Sequence, residues 1–182
     1  MSLGDLHSAV ISTSGSLYTF GDNSKGQLGL GPRAKIHVES PQEVIDVPET
    51  VRQVACGFRH TLVLANNGNV YGMGNNRRHE LGLGESARSR EPEFNTPLKL
   101  SHLEIHRITK VAAGGFSAAV TVTNQLIIWG TGQFGAFRTP QKVCMDDVRF
   151  CDIQIAKTED DVFAAAVDIN GTVYSWGENY KG

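Results

Sequence analysis

Residues 14–31 read SGSLYTFGDNSKGQLGLG. A serine–glycine pair, an alternating apolar run, a glycine after a bulky residue and a closing glycine-rich segment follow in that order. The order returns. Asn67–Gly74 reads NGNVYGMG and Asn170–Gly177 reads NGTVYSWG. Asn124–Gly130, NQLIIWG, is a further copy one residue shorter. Turn glycines fall at 15, 68 and 171, so the first interval is 53 residues and the second, 103, holds two units of similar size. Self-similarity at this period is the signature of a solenoid or a propeller.

The flanks repeat as well. GDLHSAVIST (Gly4–Thr13) aligns with GFRHTLVLAN (Gly57–Asn66) and sets His7 on His60. In GGFSAAVTVT (Gly114–Thr123) this alignment puts Ser117 at the histidine position, and DDVFAAAVDI (residues 160–169) has lost the histidine. VRQVACG (Val51–Gly57) matches ITKVAAG (Ile108–Gly114), and GQLGLG (Gly26–Gly31) matches HELGLG (His79–Gly84).

Each unit holds three strand candidates. Thr61–Ala65 is apolar on both faces, as a strand between two neighbouring sheets must be. Asn67–Gly68 supplies positive φ for a tight hairpin, with Ser14–Gly15, Asn124–Gln125 and Asn170–Gly171 as its counterparts. Leu62, Leu64, Val70, Tyr71, Val120, Trp129, Val167, Val173 and Trp176 are expected in the core. Sandwiched sheets at this spacing describe a β-propeller. The fold class is therefore all-β: a propeller segment of about three to four blades of four-stranded antiparallel sheets. Residues 1–182 form a single segment, with repeats near 4–50, 51–107, 108–149 and 150–182. The first and last are expected to be incomplete, since Met1–Leu3 leaves no room for a strand before Gly4.

The joint pattern resembles the regulator of chromosome condensation repeat. Gly4, His7, Ser8, Gly15, Leu17, Tyr18, Phe20, Gly21, Asn23, Gly26, Gln27, Leu28, Gly29 and Gly31 carry it in the first copy. The second keeps Gly57, His60, Thr61, Gly68, Tyr71, Gly74, Asn76, Leu81, Gly82 and Gly84, but has Met73 for the tryptophan and His79-Glu80 for Gly-Gln. The third keeps Trp129-Gly130 and drops the Gln-Leu-Gly segment, and the fourth matches only from Gly171, with Trp176-Gly177. The resemblance implies a seven-bladed ring, which at the observed period needs roughly 370 residues. It also implies structural roles for Gly21, Gly74, Gly130, Gly177, His7, His60, Trp129 and Trp176.

The net charge is −2, so no global basic field calls for nucleic acid, and none is expected for this segment alone. No run approaches a membrane span, and no membrane partner is expected. Cys56, Cys144 and Cys151 are an odd set without a C-x-x-C, which fits neither a disulfide framework nor a zinc site. A reducing intracellular compartment, cytoplasmic or nuclear, follows.

Catalytic constellations do not emerge. His7 and His60 occupy equivalent positions in successive units, which diverge rather than converge on a metal; each is expected to bond backbone within its own blade. The glycine-rich segments lack the strand, lysine and helix of a phosphate loop. Glu159–Asp161 lacks the spacing of a calcium loop. No catalytic, cofactor or metal residues are assigned, and no enzyme activity is expected. The repeat leaves two stretches unexplained. Pro32–Pro48 contributes Arg33 and Lys35, and Glu85–Pro97 contributes Arg88, Arg90 and Phe94, as partner-contact candidates. The expected function is a protein-interaction scaffold. The family resemblance adds an alternative, a guanine-nucleotide exchange factor, or part of one, for a small GTPase. Incomplete terminal blades add self-association as a third expectation.

Overall fold

The structure, a computed structural model, describes residues 1–84, 92–132, 135–157 and 162–177. Four antiparallel sheets follow in chain order. Blade 1 holds β1 (Ser2–Leu3), β2 (His7–Ile11), β3 (Leu17–Asp22) and β4 (His37–Glu43). Blade 2 holds β5 (Val51–Cys56), β6 (His60–Ala65), β7 (Val70–Asn75) and β8 (Glu93–Lys99). A short 3-10 helix, Ser101–His106, leads to blade 3: β9 (Ile108–Ala113), β10 (Ser117–Thr121), β11 (Leu126–Gly132) and β12 (Gly135–Lys142). Blade 4 has three strands, β13 (Phe150–Lys157), β14 (Val162–Asp168) and β15 (Val173–Gly177). The chain is thus a four-blade β-propeller segment, each sheet a simple meander. Two residues suffice for β1, which pairs Ser2 with Ala9 and Leu3 with Ser8, so the space before Gly4 does hold a strand.

The alternation inside β6 shows how a doubly apolar strand is used. Val63 and Ala65 join Ala9, Leu17 and Met73 between blades 1 and 2. Leu62 and Leu64 join Val111, Ala119 and Trp129 between blades 2 and 3. In β10 Ala119 faces back to blade 2, while Ala118 and Val120 face Phe150 and Ile153 of blade 4. Successive side chains of one strand therefore feed two different cores.

Hairpins lie at the expected places but are three-residue turns rather than two-residue ones. Ser12 pairs with Ser16, Ala65 with Asn69, Thr121 with Gln125 and Asp168 with Thr172. One left-handed residue closes each: Gly15, Gly68 and Gly171 at φ 86–90°, and Asn124 at 62°. Asn124, not Gln125, occupies the glycine position, which explains the shorter third copy.

The stretches left over as insertions contain the fourth strands. The outer strand is mostly solvated and so lacks the apolar pattern of the inner ones. Each carries one proline, Pro41, Pro97 or Pro140, as edge strands do to block further pairing. Phe94, expected as an exposed contact residue, lies in β8 opposite Gly74 and is only 8 % exposed, packed with Leu81 and Trp129.

The burial expectation holds for blades 2 and 3 and fails in blade 4. Leu62, Leu64, Val70, Tyr71, Val120 and Trp129 are buried. Val173 is 65 % exposed, and Val167 and Trp176 are half-buried. No fifth sheet covers blade 4 among the described residues.

Candidate functional site

The two repeat histidines couple neighbouring blades. His7 Nε2 lies 2.8 Å from Thr61 Oγ1, and that hydroxyl donates to the Gln27 carbonyl at 2.7 Å. His60 Nε2 lies 2.8 Å from Ser117 Oγ, which donates to the Glu80 carbonyl at 2.7 Å. The hydroxyl proton is committed to the carbonyl, so the imidazole must donate. The expectation of a bond within the blade is corrected: each histidine reaches into the next one. Burial holds the ring neutral, lowering His7 to about 4 and His60 to about 3. The spacing Gly-x-x-His has a direct cause. A Cβ at Gly57 would sit 2.5 Å from His60 Cε1, and one at Gly4 would sit 2.7 Å from His7 Cε1.

Register also corrects the third copy. His7 faces Gly21, His60 faces Gly74 and Phe163 faces Gly177, whereas Ser117 faces Trp129 as Thr61 faces Met73. Ser117 is therefore the hydroxyl position, and Phe116 takes the histidine's place. The turn before it is one residue shorter, since Gly114 bonds Phe116 where Gly57 bonds His60. In blade 4 the hydroxyl position is Ala164, opposite Trp176.

The glycine-rich segments receive the next blade, not a phosphate. A Cβ on Gly82 would stand 2.8 Å from Trp129 Cδ1, and Trp129 Nε1 donates to the Glu80 carbonyl at 2.7 Å. Met73 lies over Gly29 in the same way.

At the end of the blades where these loops meet, a cleft of about 410 Å³ opens beside blades 2 and 3. Its lining includes Lys25 from blade 1, Phe58 and Arg59 from the β5–β6 turn, and Arg77 and Arg78 from the loop after β7, with Gly114 and Gly115 opposite. Lys25 Nζ pairs with Glu93 at 2.9 Å, and Arg77 stands 3.8 Å from the same carboxylate. The floor is the Glu80 carboxylate. It accepts from Asn75 Nδ2 at 2.5 Å and from the Arg78 amide at 2.8 Å, and burial pushes its pKa up. Blade 1 makes the same bond with the roles exchanged, Gln27 Nε2 donating to Asp22 Oδ2 at 2.5 Å.

Of the sequence candidates, Arg33 and Lys35 are exposed and line a second cavity of about 620 Å³ along β4. Arg88, Arg90 and the acidic run Glu159–Asp161 lie outside the described residues. Gly21, Gly74 and Gly130 have φ of 107°, 100° and 99° in the bulged third strands. Cys56 is buried and its thiol is pushed up to about 11, so it is an inert core group. Sequence reading missed the cleft arginines. Their signal was present: Arg77-Arg78-His79 stands where the first copy has Ser24-Lys25-Gly26.

The regulator of chromosome condensation (RCC1) repeat pattern matches residues 14–64 and 67–120, together more than half of the chain. The human X-linked retinitis pigmentosa GTPase regulator is 39 % identical over 150 residues, covering 80 % of this chain and 14 % of that protein. The crystal structure of human WBSCR16 superposes with a TM-score of 0.83 at 21 % identity, over 97 % of this chain and 46 % of the other. Prp20p from Saccharomyces cerevisiae, described with its binding properties to Gsp1p and histones, gives 0.73 at 20 % identity over 84 % and 40 %. The chain thus spans less than half of each of these proteins.

Proposed function

The chain belongs to the regulator of chromosome condensation repeat family, and on that premise we propose that it is the rigid part of a protein-interaction scaffold. The observation that carries this reading is the division of labour in the blades. Their faces are consumed by packing on one another, while charged loops and clefts gather at their ends. Arg33 and Lys35 are contact residues in this proposal, and Arg88 and Arg90 join them on sequence grounds alone. This role needs no catalytic group, and in this reading the segment works in the reducing intracellular compartment expected from its cysteines. A second copy is a poor closing partner. Head to tail, Phe163 at the histidine position would meet Ser8 at the hydroxyl position, a pairing that none of the three inner interfaces uses.

The test is retention of partner proteins by the immobilised chain from a eukaryotic lysate, beside its Arg33→Glu/Lys35→Glu variant. Weakened retention at unchanged melting temperature is expected. Equal retention by both removes these residues from the contact surface. Nucleotide exchange on a small GTPase is the second reading, favoured by the similarity to a GTPase regulator. It needs no catalytic triad, only tighter binding of the nucleotide-free state. Accelerated release of labelled GDP from one member of a panel of purified small GTPases would support it, and unchanged release from all of them would exclude it for this segment.

A further inference from the structure

We propose that the cleft beside blades 2 and 3 binds carboxylates of an acidic peptide segment on the partner protein. This rests on the scaffold reading and names the chemistry of one of its contacts. Four cations, Lys25, Arg59, Arg77 and Arg78, line one cavity in a chain of net charge −2. Two carboxylates answer them. Glu93 is engaged by Lys25 and Arg77, and Glu80 is buried at the floor. Arg59 and Arg78 have no carboxylate within ion-pair distance among the described residues. The Arg59 guanidinium carbon rests 5.1 Å from the centroid of the Phe58 ring, a contact that leaves its N–H groups available for a ligand. His60 is neutral and adds no charge.

The repeat does not require these arginines. By register, blade 1 has Leu6 for Arg59, Ser24 for Arg77 and Lys25 for Arg78. Blade 2 also sets His79 at φ 61° where blade 1 has Gly26 at 76°. A left-handed backbone is thus kept without the residue that adopts it freely. The departures cluster where the charge clusters.

Carboxylate fits better than phosphate. A planar carboxylate matches a guanidinium fork and brings one negative charge. A phosphate diester track needs an extended basic stripe, whereas this cavity is compact, and Glu80 in its lining and Glu93 paired with Lys25 and Arg77 repel a more highly charged anion.

The experiment is fluorescence anisotropy with a labelled twelve-residue peptide of alternating Asp and Gly. The probe should bind saturably at low salt. Arg59→Gln/Arg78→Gln should weaken it at least tenfold, and Arg59→Lys/Arg78→Lys, which keeps charge but loses the fork, by an intermediate factor. Both pairs are exposed, so melting temperatures should not move. Arg52→Gln/Arg149→Gln, at exposed positions outside the cleft, should bind the probe as the parent does. Unsaturable binding, equal affinity in the glutamine variant, or displacement by duplex DNA or inorganic phosphate more readily than by unlabelled peptide overturns the assignment. A parent chain that retains lysate partners but does not bind the peptide would remove the cleft assignment alone. A parent chain that retains no lysate partner would remove the scaffold reading instead.

Discussion

Blades 2 and 3 meet through a buried chain of histidine, hydroxyl, carbonyl and indole; blades 3 and 4 put a phenylalanine and an alanine where the histidine and the hydroxyl stand. At the first interface His60, Ser117, the Glu80 carbonyl and Trp129 form one buried polar chain. At the second, Phe116 and Ala164 occupy the corresponding positions inside an apolar cluster with Phe150 and Ile153. Both partners of the polar pair are replaced together. That is the neutral exchange, because removing one alone would strand a buried polar group. Blade 3 also lacks the Gln-Leu-Gly loop, β11 turning directly into β12. Trp176, the counterpart of Trp129, is half-buried, its ring 6.2 Å from that of Phe150. The repeat letters are instructions about the neighbouring blade more than about their own.

The two tryptophans separate the interfaces most sharply. Trp129→Ala removes a fully buried ring and deprives the Glu80 carbonyl of its indole donor, so it should cost roughly 3–5 kcal/mol in denaturant unfolding. Trp176→Ala should cost about half as much or less, because part of its surface is already in water. Equal losses would break the comparison.

Acid should act next most strongly, and chiefly on the histidine interfaces. Both folded pKa values lie below the ordinary 6.5, at about 4 for His7 and about 3 for His60. The unfolded chain thus binds protons first as pH falls. The contribution is complete above 6.5 and is lost on acidification, levelling off below the folded values. By pH 5 each histidine should have withdrawn roughly 2 kcal/mol. His60→Phe/Ser117→Ala, which imposes the blade 3–4 pair on the blade 2–3 interface, should roughly halve the difference in unfolding free energy between pH 7 and pH 5. An unaltered difference would assign the acid sensitivity elsewhere.

What could be read in advance follows the range of the interaction. Alternation in β6, the hairpin at Gly68 and the burial of Trp129 are local or period-bound, and the sequence carries them openly. The partner of His60 lies 57 residues away in another sheet, and no spacing rule within one blade points to it. Ser117 aligns with the histidines in sequence because a one-residue contraction before Phe116 shifts the alignment without disturbing the strand. The outer strands were hidden by solvation, their proline being read as loop punctuation. The cleft draws on Lys25, Arg59 and Arg77, separated in sequence and gathered only when two blades pack.

The smallest effect is expected at the open face of blade 4. Phe163 is 40 % exposed there and Val173 more so, although β14 and β15 are patterned for burial. Phe163→Ser/Val173→Thr removes apolar surface that is largely in water already, so unfolding should shift by less than about 1 kcal/mol. The interface chemistry sharpens this. A neighbour for this face should carry a small residue opposite Phe163, as Ala164 stands to Phe116, whereas the face that a second copy offers carries Ser8. The parent chain should accordingly sediment as a monomer at micromolar concentration, with a melting temperature independent of concentration. A melting temperature that climbs with concentration, and that loses the climb in the double variant, would show that a second copy does cover this face and that the pairing rule drawn from blades 1 to 3 does not govern blade 4.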